Sequence, residues 1–126
     1  MLIILKIMKI MKIMIIMFNF FYEILIKIYL IIMIILYGSQ HGNAKSIAEN
    51  IYYSLNNEQI PLLSLDESLY LFEDSNNIKN ETIVIVISTT GNGDVPINSE
   101  KWWRFIKKRS LDRNYCEGLN FYVLAL

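Results

Sequence analysis

Cysteine is nearly absent from this chain. Cys116 is the only one, so no intrachain disulfide can form and nothing points to an oxidising compartment. Histidine is equally scarce, with His41 alone. No ligand cluster accompanies Asp94, the loop acid that would invite a metal. The most informative absence is local: no Gly, Pro, Ser, Thr, Ala or Val occurs before Gly38. Residues 1–36 use only eight residue types, 30 of the 36 are apolar, and all six methionines lie there. From Tyr37 onward the composition is that of an ordinary globular protein. The 126 residues suffice for one domain. The chain therefore divides into an apolar, lysine-containing helical segment over 1–30 and a globular part over 31–126.

The net charge of zero conceals the same division. Residues 1–36 carry Lys6, Lys9, Lys12 and Lys27 against Glu23, whereas the remainder carries 8 basic and 11 acidic residues. A mildly acidic globular part argues against nucleic acid as the main partner. Within it the acids gather in 58–81 and the bases in 101–113. The acidic stretch reads as a solvated connection.

In the N-terminal segment Asn19, Glu23 and Lys27 interrupt the apolar run, leaving it shorter than the roughly 18 uncharged residues of a clear membrane span. On a helix, Lys6, Lys9, Lys12, Asn19, Glu23 and Lys27 fall on one arc, with Glu23 and Lys27 as an i, i+4 pair. An amphipathic anchor that lies on or crosses a membrane is one reading. Low-complexity sequence carried by the gene is a second. A signal peptide is a third, without the small-residue cleavage site it needs. Three lysines ahead of the apolar run favour a cytoplasmic N-terminus. The expectation is a cytoplasmic chain whose residues 1–30 could contact the membrane surface.

Residues 31–37 form a short, Ile-rich run ending at Gly38, which predicts a strand buried on both faces. Helical spacing follows over Asn43–Asn56, with Ile47, Ile51 and Leu55 on one stripe beside Ala48 and Tyr52. Ile60–Leu65 predicts a strand placed at an edge by Pro61, and a short helix is expected near Leu69–Phe72. Ile83–Ile87 is β-branched throughout, so it should be central and parallel. A second helix is expected over Asn98–Arg109, capped by Asn98 or Ser99, with Lys107, Lys108 and Arg109 in its last turn. Leu119–Leu126 predicts a further strand. Short buried strands alternating with helices imply a doubly wound parallel sheet, whose ligands sit beyond the carboxyl ends of the strands.

Two loops fall at those ends. Gly38-Ser39-Gln40-His41-Gly42-Asn43-Ala44 joins a strand to a helix N-terminus, where free N–H groups and the helix dipole favour a phosphate. Ser39, Gln40, His41 and Asn43 add side-chain donors, and Gly42 permits close backbone approach. A nucleotide P-loop is excluded: three residues, not four, separate Gly38 from Gly42, and Asn43-Ala44 stand before Lys45. The second loop, Ser88-Thr89-Thr90-Gly91-Asn92-Gly93-Asp94-Val95-Pro96, has the glycines and hydroxyls to wrap a flat polar ring edge. His41 reads either as a phosphate contact or as an exposed loop residue. Trp102 and Trp103 sit well inside the second helix and read as packing residues, one on the sheet and one nearer its edge.

At these loops the chain resembles the flavodoxin-like domain of the diflavin reductases, the group containing cytochrome P450 reductase and methionine synthase reductase. The family pattern Ser-Gln-x-Gly-x-Ala matches Ser39, Gln40, Gly42 and Ala44. Ser88-Thr89-Thr90-Gly91 with Gly93-Asp94, together with Ala44-Lys45 and Ile47-Ala48-Glu49, looks closest to methionine synthase reductase. The resemblance covers about residues 32–126. It implies a flavodoxin-like fold that binds FMN, with Ser39, Gln40, His41, Gly42, Asn43 and Ala44 at the phosphate. Ser88, Thr89, Thr90 and Gly91 would flank the ring, the Gly91 carbonyl facing flavin N5. It further implies one-electron transfer beside an FAD/NADPH reductase module, to an acceptor protein such as methionine synthase or a haem protein. Such a chain would be part of an NADPH-dependent oxidoreductase and not a complete enzyme alone. Many relatives carry Thr where His41 and Asn43 stand. The family's third FMN loop, Gly-Leu-Gly-Asp and an aromatic, would follow Leu126, so the expected fold lacks its final strand and helix. The alternative is a non-functional or membrane-associated fragment that keeps the fold but binds no flavin.

Overall fold

The computed structural model describes residues 1–31 and 33–126, and side chains only outside residues 26–32. Helix α1 (Leu2–Ile31) comes first, and its side chains from Leu2 to Leu25 are exposed. Among the described residues no helix is long and apolar enough to cross a membrane. The Lys27 half of the expected Glu23–Lys27 pair lies outside the described side chains.

The remaining elements run β1 (Met33–Gly38), α2 (Asn43–Leu55), β2 (Leu62–Ser64), α3 (Leu69–Phe72), α4 (Ser75–Ile78), β3 (Thr82–Ile87), a 3-10 turn (Ile97–Ser99), α5 (Glu100–Ile106) and β4 (Asn120–Ala125). The four strands form one sheet in the order β2-β1-β3-β4, every neighbouring pair parallel. The Ile-rich run is thus a strand from Met33, one residue longer at Gly38 than its apolar pattern suggests, while Ile31 ends α1 and residue 32 lies outside the described residues. Pro61 precedes β2 at the sheet edge, where its missing N–H costs no ladder bond; its carbonyl accepts from Ile35 N–H at 2.9 Å.

Strand alternation divides the core between the two sheet faces. Ile34 and Leu36 of β1 and Ile83 of β3 pack with Leu65, Phe72 and Ile78, against Trp102 and Phe105 of α5. Ile35 and Val86 point the other way, onto Ala44, Ala48 and Ile60. In α2 the fully buried positions are Ala44 and Ala48, while Ile47, Ile51 and Leu55 are partly buried around them. Two small side chains on the inward line let the helix axis approach the sheet closely. The helix ends at Asn56, which takes the left-handed conformation (φ 48°) that asparagine tolerates.

Three sequence expectations are corrected. The second helix begins later and ends earlier than Asn98–Arg109: a 3-10 turn occupies Ile97–Ser99, and Lys107 is already the C-cap. Neither Asn98 nor Ser99 caps it by side chain. Asp66, 36 residues earlier in the chain, accepts from Trp102 N–H at 2.9 Å and fills that role. The acidic 58–81 stretch is therefore not merely solvated. Its Glu67 also accepts from Ser64 N–H at 2.9 Å while Ser64 Oγ accepts from Glu67 N–H at 3.2 Å, a reciprocal capping box. The strand expected over Leu119–Leu126 is β4, Asn120–Ala125, and all six of its residues are exposed.

Tyr115 ties the loop after α5 to the core. Its hydroxyl donates to the Phe72 carbonyl, and its ring meets Phe105 edge-on at 5.9 Å. Partial burial, then the negative groups Asp74, Cys116 and Glu73, push its phenol above the ordinary 10.0. A raised acid pKa means that the folded state holds this proton longer than the unfolded chain. The contribution is intact below about pH 10 and is lost as pH climbs through the folded value. Tyr115→Phe is expected to lower stability by about 1 kcal/mol at neutral pH, with the gap to wild type closing above pH ~10 in urea unfolding. An unchanged gap at alkaline pH would refute the account.

Candidate functional site

The chain reverses direction across the sheet between β1 and β3, which are sequentially distant and spatially adjacent. At such a switch point the loops leaving the two strands open a crevice at their carboxyl ends. Gly38 and Ile87 are register partners at the last position of both strands, so the loops 38–44 and 88–96 start side by side. Ser88 fastens them: its N–H donates to the Gly38 carbonyl at 3.0 Å and its hydroxyl to the same oxygen at 3.5 Å. Ser88 thus joins the two loops within the protein.

The first loop is pre-shaped. Gly42, at φ 92°, adopts a conformation costly for any residue with a Cβ, and no atom lies within 4 Å of where that Cβ would stand. Its N–H donates to Ser39 Oγ at 2.9 Å, which leaves the Ser39 hydroxyl proton free to donate outward. The first bond of α2 runs from Ser46 N–H to the Gly42 carbonyl, so the N–H groups of Asn43, Ala44 and Lys45 have no helical acceptor before them. With the positive end of a 13-residue helix behind them, these donors make an anion cradle. Ala44 contributes its backbone alone, because its methyl is buried against the sheet.

The second loop folds on itself. Thr90 and Asp94 exchange both backbone hydrogen bonds at 2.9 Å, closing a tight turn whose tip is Gly91-Asn92-Gly93. Gly91 and Gly93 both take positive φ, 52° and 96°, which the turn requires. The tip and Thr89 are exposed.

One side chain missed by sequence reasoning, Asn98, joins this architecture, and Gln40 takes part in it by an unforeseen bond. Asn98 Oδ1 accepts from Ser39 N–H at 2.9 Å, and Asn98 O accepts from Asp66 N–H at 2.9 Å. Gln40 Oε1 accepts from Ile97 N–H at 3.0 Å, leaving the Gln40 amide group to donate elsewhere. The cradle is thereby clamped to the 3-10 turn before α5 by bonds spanning 59 and 57 residues. An asparagine beside a predicted helix start reads locally as a cap, so sequence alone carries no sign of this longer-range role.

Between the loops and α5 lies a cleft of about 730 Å³, within the usual range of small-molecule sites. Gln40 and His41 line it from the first loop, Thr90, Gly93 and Asp94 from the second, and Trp103, Arg104 and Lys107 from α5. Of the ten expected site residues, Gln40, His41 and Thr90 meet in this cleft. Ser39, Gly42, Asn43 and Ala44 stand in the adjoining cradle; Ser88, Thr89 and Gly91 belong to the second loop outside the lining. The two tryptophans differ in placement. Trp102 does pack on Phe72, edge-on at 5.5 Å, whereas Trp103 is 41% exposed and forms a cleft wall.

A family described as Flavodoxin matches residues 35–126. A crystal structure of oxidised flavodoxin 1 from Bacillus cereus superposes with a TM-score of 0.52 at 19% identity, over 74% of this chain and 59% of that one, a likeness of fold. The NADPH-dependent diflavin oxidoreductase 1 of Schizosaccharomyces pombe is 33% identical over 93 residues, 72% of this chain. The methionine synthase reductase of Bos taurus is 34% identical over 97 residues, 74% of this chain. The chain spans 15% and 13% of those two proteins. It belongs to the flavodoxin family, and its relatives are diflavin reductases of both kinds. Identities of 33% and 34% place both kinds among its relatives.

Proposed function

We propose that residues 31–126 bind FMN in the cradle and cleft and relay electrons one at a time, as the flavodoxin-like part of an NADPH-dependent diflavin oxidoreductase. The observation that carries this reading is the pairing of Gly38 with Ile87, which sets a donor-rich loop and a glycine-rich loop at one rim. A group of the right form fits there: N–H donors and the Ser39 hydroxyl for a phosphate, and a cleft of about 730 Å³ beside them. Bound FMN supplies a ring that accepts and releases electrons singly, while the protein sets its position and polarity. Ser39, Gln40, His41, Gly42, Asn43 and Ala44 hold the phosphate. Thr89, Thr90 and Gly91, on the second loop, would flank the ring. Ser88 holds the two loops together. An FAD/NADPH module delivers the electrons, and an acceptor protein, by resemblance methionine synthase or a haem protein, receives them.

The division into 1–30 and 31–126 belongs to the same proposal. It rests on the family match beginning at residue 35 and on the exposed side chains of α1. Contact of α1 with a lipid surface rests on that exposure and on Lys6, Lys9 and Lys12. Flotation of the full chain with anionic vesicles, against a chain lacking residues 1–30, separates such contact from none.

The test of cofactor binding is titration of FMN with the full chain, read by flavin fluorescence. Saturable quenching at one FMN per chain is expected, with riboflavin binding at least about tenfold more weakly because the cradle's donors go unused. Unsaturated quenching in a folded chain would establish instead a domain that keeps the fold without the cofactor.

A further inference from the structure

The second half of the domain carries a charge pattern that the flavin reading does not use. Six of the eight basic residues after Leu36 lie within 101–113, where Asp112 is the only acid. Lys101, Arg104, Lys107, Lys108, Arg109 and Arg113 are all exposed. Arg104 pairs with Glu100 at 3.3 Å; among the described residues the other five have no carboxylate within 4.0 Å. Excess positive charge on one exposed segment of an acidic domain stands against the domain's own balance.

The patch adjoins the cleft. Arg104 and Lys107 line it together with Trp103, whose ring has Lys107 Nζ at 5.8 Å from its centroid. An exposed tryptophan flanked by arginine and lysine is the composition of an interface hot spot: the ring provides buried area, and the cations steer and orient.

The surroundings define the occupant. Asp66 sits at the α5 N-terminus through its bond to Trp102 N–H, and Asp74 and Glu73 act on Tyr115 at the other end. The basic surface is bordered by carboxylates at the α5 N-terminus and along the cleft, where Asp94 and Glu100 stand with Arg104 and Lys107. A nucleic-acid strand running across it would meet like charge within a short distance. A folded protein with a compact acidic face, itself rimmed by bases, fits both the patch and its border.

We propose that α5 and the turn after it, residues 101–113, dock an acidic redox partner protein over the mouth of the cleft. This rests on the electron-relay reading for the partner's role, but docking and flavin binding are measured separately. The probe is a fluorescent peptide of roughly ten glutamates, titrated with the full chain by anisotropy at low salt. Saturable binding is expected, weakening at least about tenfold between about 20 and 200 mM salt as screening shortens the reach of the charges. The triple variant Lys101→Glu, Lys108→Glu, Arg109→Glu uses bases outside the cleft lining. It is expected to weaken peptide binding at least about tenfold and to leave FMN quenching unchanged. The milder Lys101→Gln, Lys108→Gln, Arg109→Gln provides the same test should charge reversal disturb folding. No peptide binding at low salt, or binding unaffected by both variants, would overturn the proposal. So would tighter binding of a single-stranded oligonucleotide of equal charge. Loss of FMN quenching with peptide binding retained would overturn the flavin reading and leave the docking surface standing.

Discussion

Gly38→Ala is expected to lower the unfolding free energy by about 1–3 kcal/mol, the cost of forcing a group into packed space. At the size of this domain that is a fall in Tm of roughly 5–20 °C. Gly38 has no unusual φ, and its requirement is one of space. An added Cβ would stand 2.2 Å from Ser99 Oγ, 3.1 Å from Ile87 Cγ1 and 3.3 Å from Leu65 Cδ1. Ser99 is fully buried in the 3-10 turn and cannot swing into solvent. To admit the methyl, the turn must retreat, and it carries the two acceptor–donor pairs, Asn98–Ser39 and Ile97–Gln40, that clamp the cradle. Stability and FMN affinity should therefore fall together. Ser99→Ala removes the nearest atom, so the double variant should recover at least about 1 kcal/mol relative to the sum of the singles. Urea unfolding of the four chains measures this cycle. Additive effects would show that the glycine matters for some other reason.

That glycine also marks how far the sequence could be read. β-branched Ile83–Ile87 announced a central parallel strand, and the period of two separated Ile34 and Leu36 from Ile35 without ambiguity. The two loops were legible because their donors and glycines are local. Contacts made across the fold were not. Asp66 reads as one acid in an acidic stretch, and only the folded chain brings it within 2.9 Å of Trp102 N–H. The short helix α4 (Ser75–Ile78) is held by Asp74, whose side chain accepts from Asn76 N–H; with a single apolar anchor, Ile78, it leaves no periodic trace. At α5 the run Lys107-Lys108-Arg109 suits a helix C-terminus, yet the helix stops at Ile106, the last side chain of that run that packs on the core. Propensity permitted three more residues; packing gave them nothing to bury.

Asn98 allows the cradle's geometry and its electrostatics to be separated. Asn98→Ala leaves Ser39 N–H, part-buried, without its acceptor, and should cost about 1–3 kcal/mol of stability. The loosened loop should bind FMN and riboflavin more weakly in proportion. Asn98→Asp is nearly the same shape and keeps an oxygen where Oδ1 accepts, now with a charge that strengthens the bond. Stability is expected to stay within about 1 kcal/mol of wild type. A carboxylate tied directly to the Ser39 N–H, however, stands beside the place proposed for the phosphate dianion. Coulomb repulsion there, at an effective dielectric between protein and water, amounts to about 1–2 kcal/mol, or roughly 5- to 30-fold in FMN affinity. The loss should shrink with added salt, and riboflavin, which lacks the phosphate, should not register the substitution. Equal losses for FMN and riboflavin in Asn98→Asp would mean that the phosphate does not sit by Ser39, and the orientation assigned to the cofactor would have to be reversed.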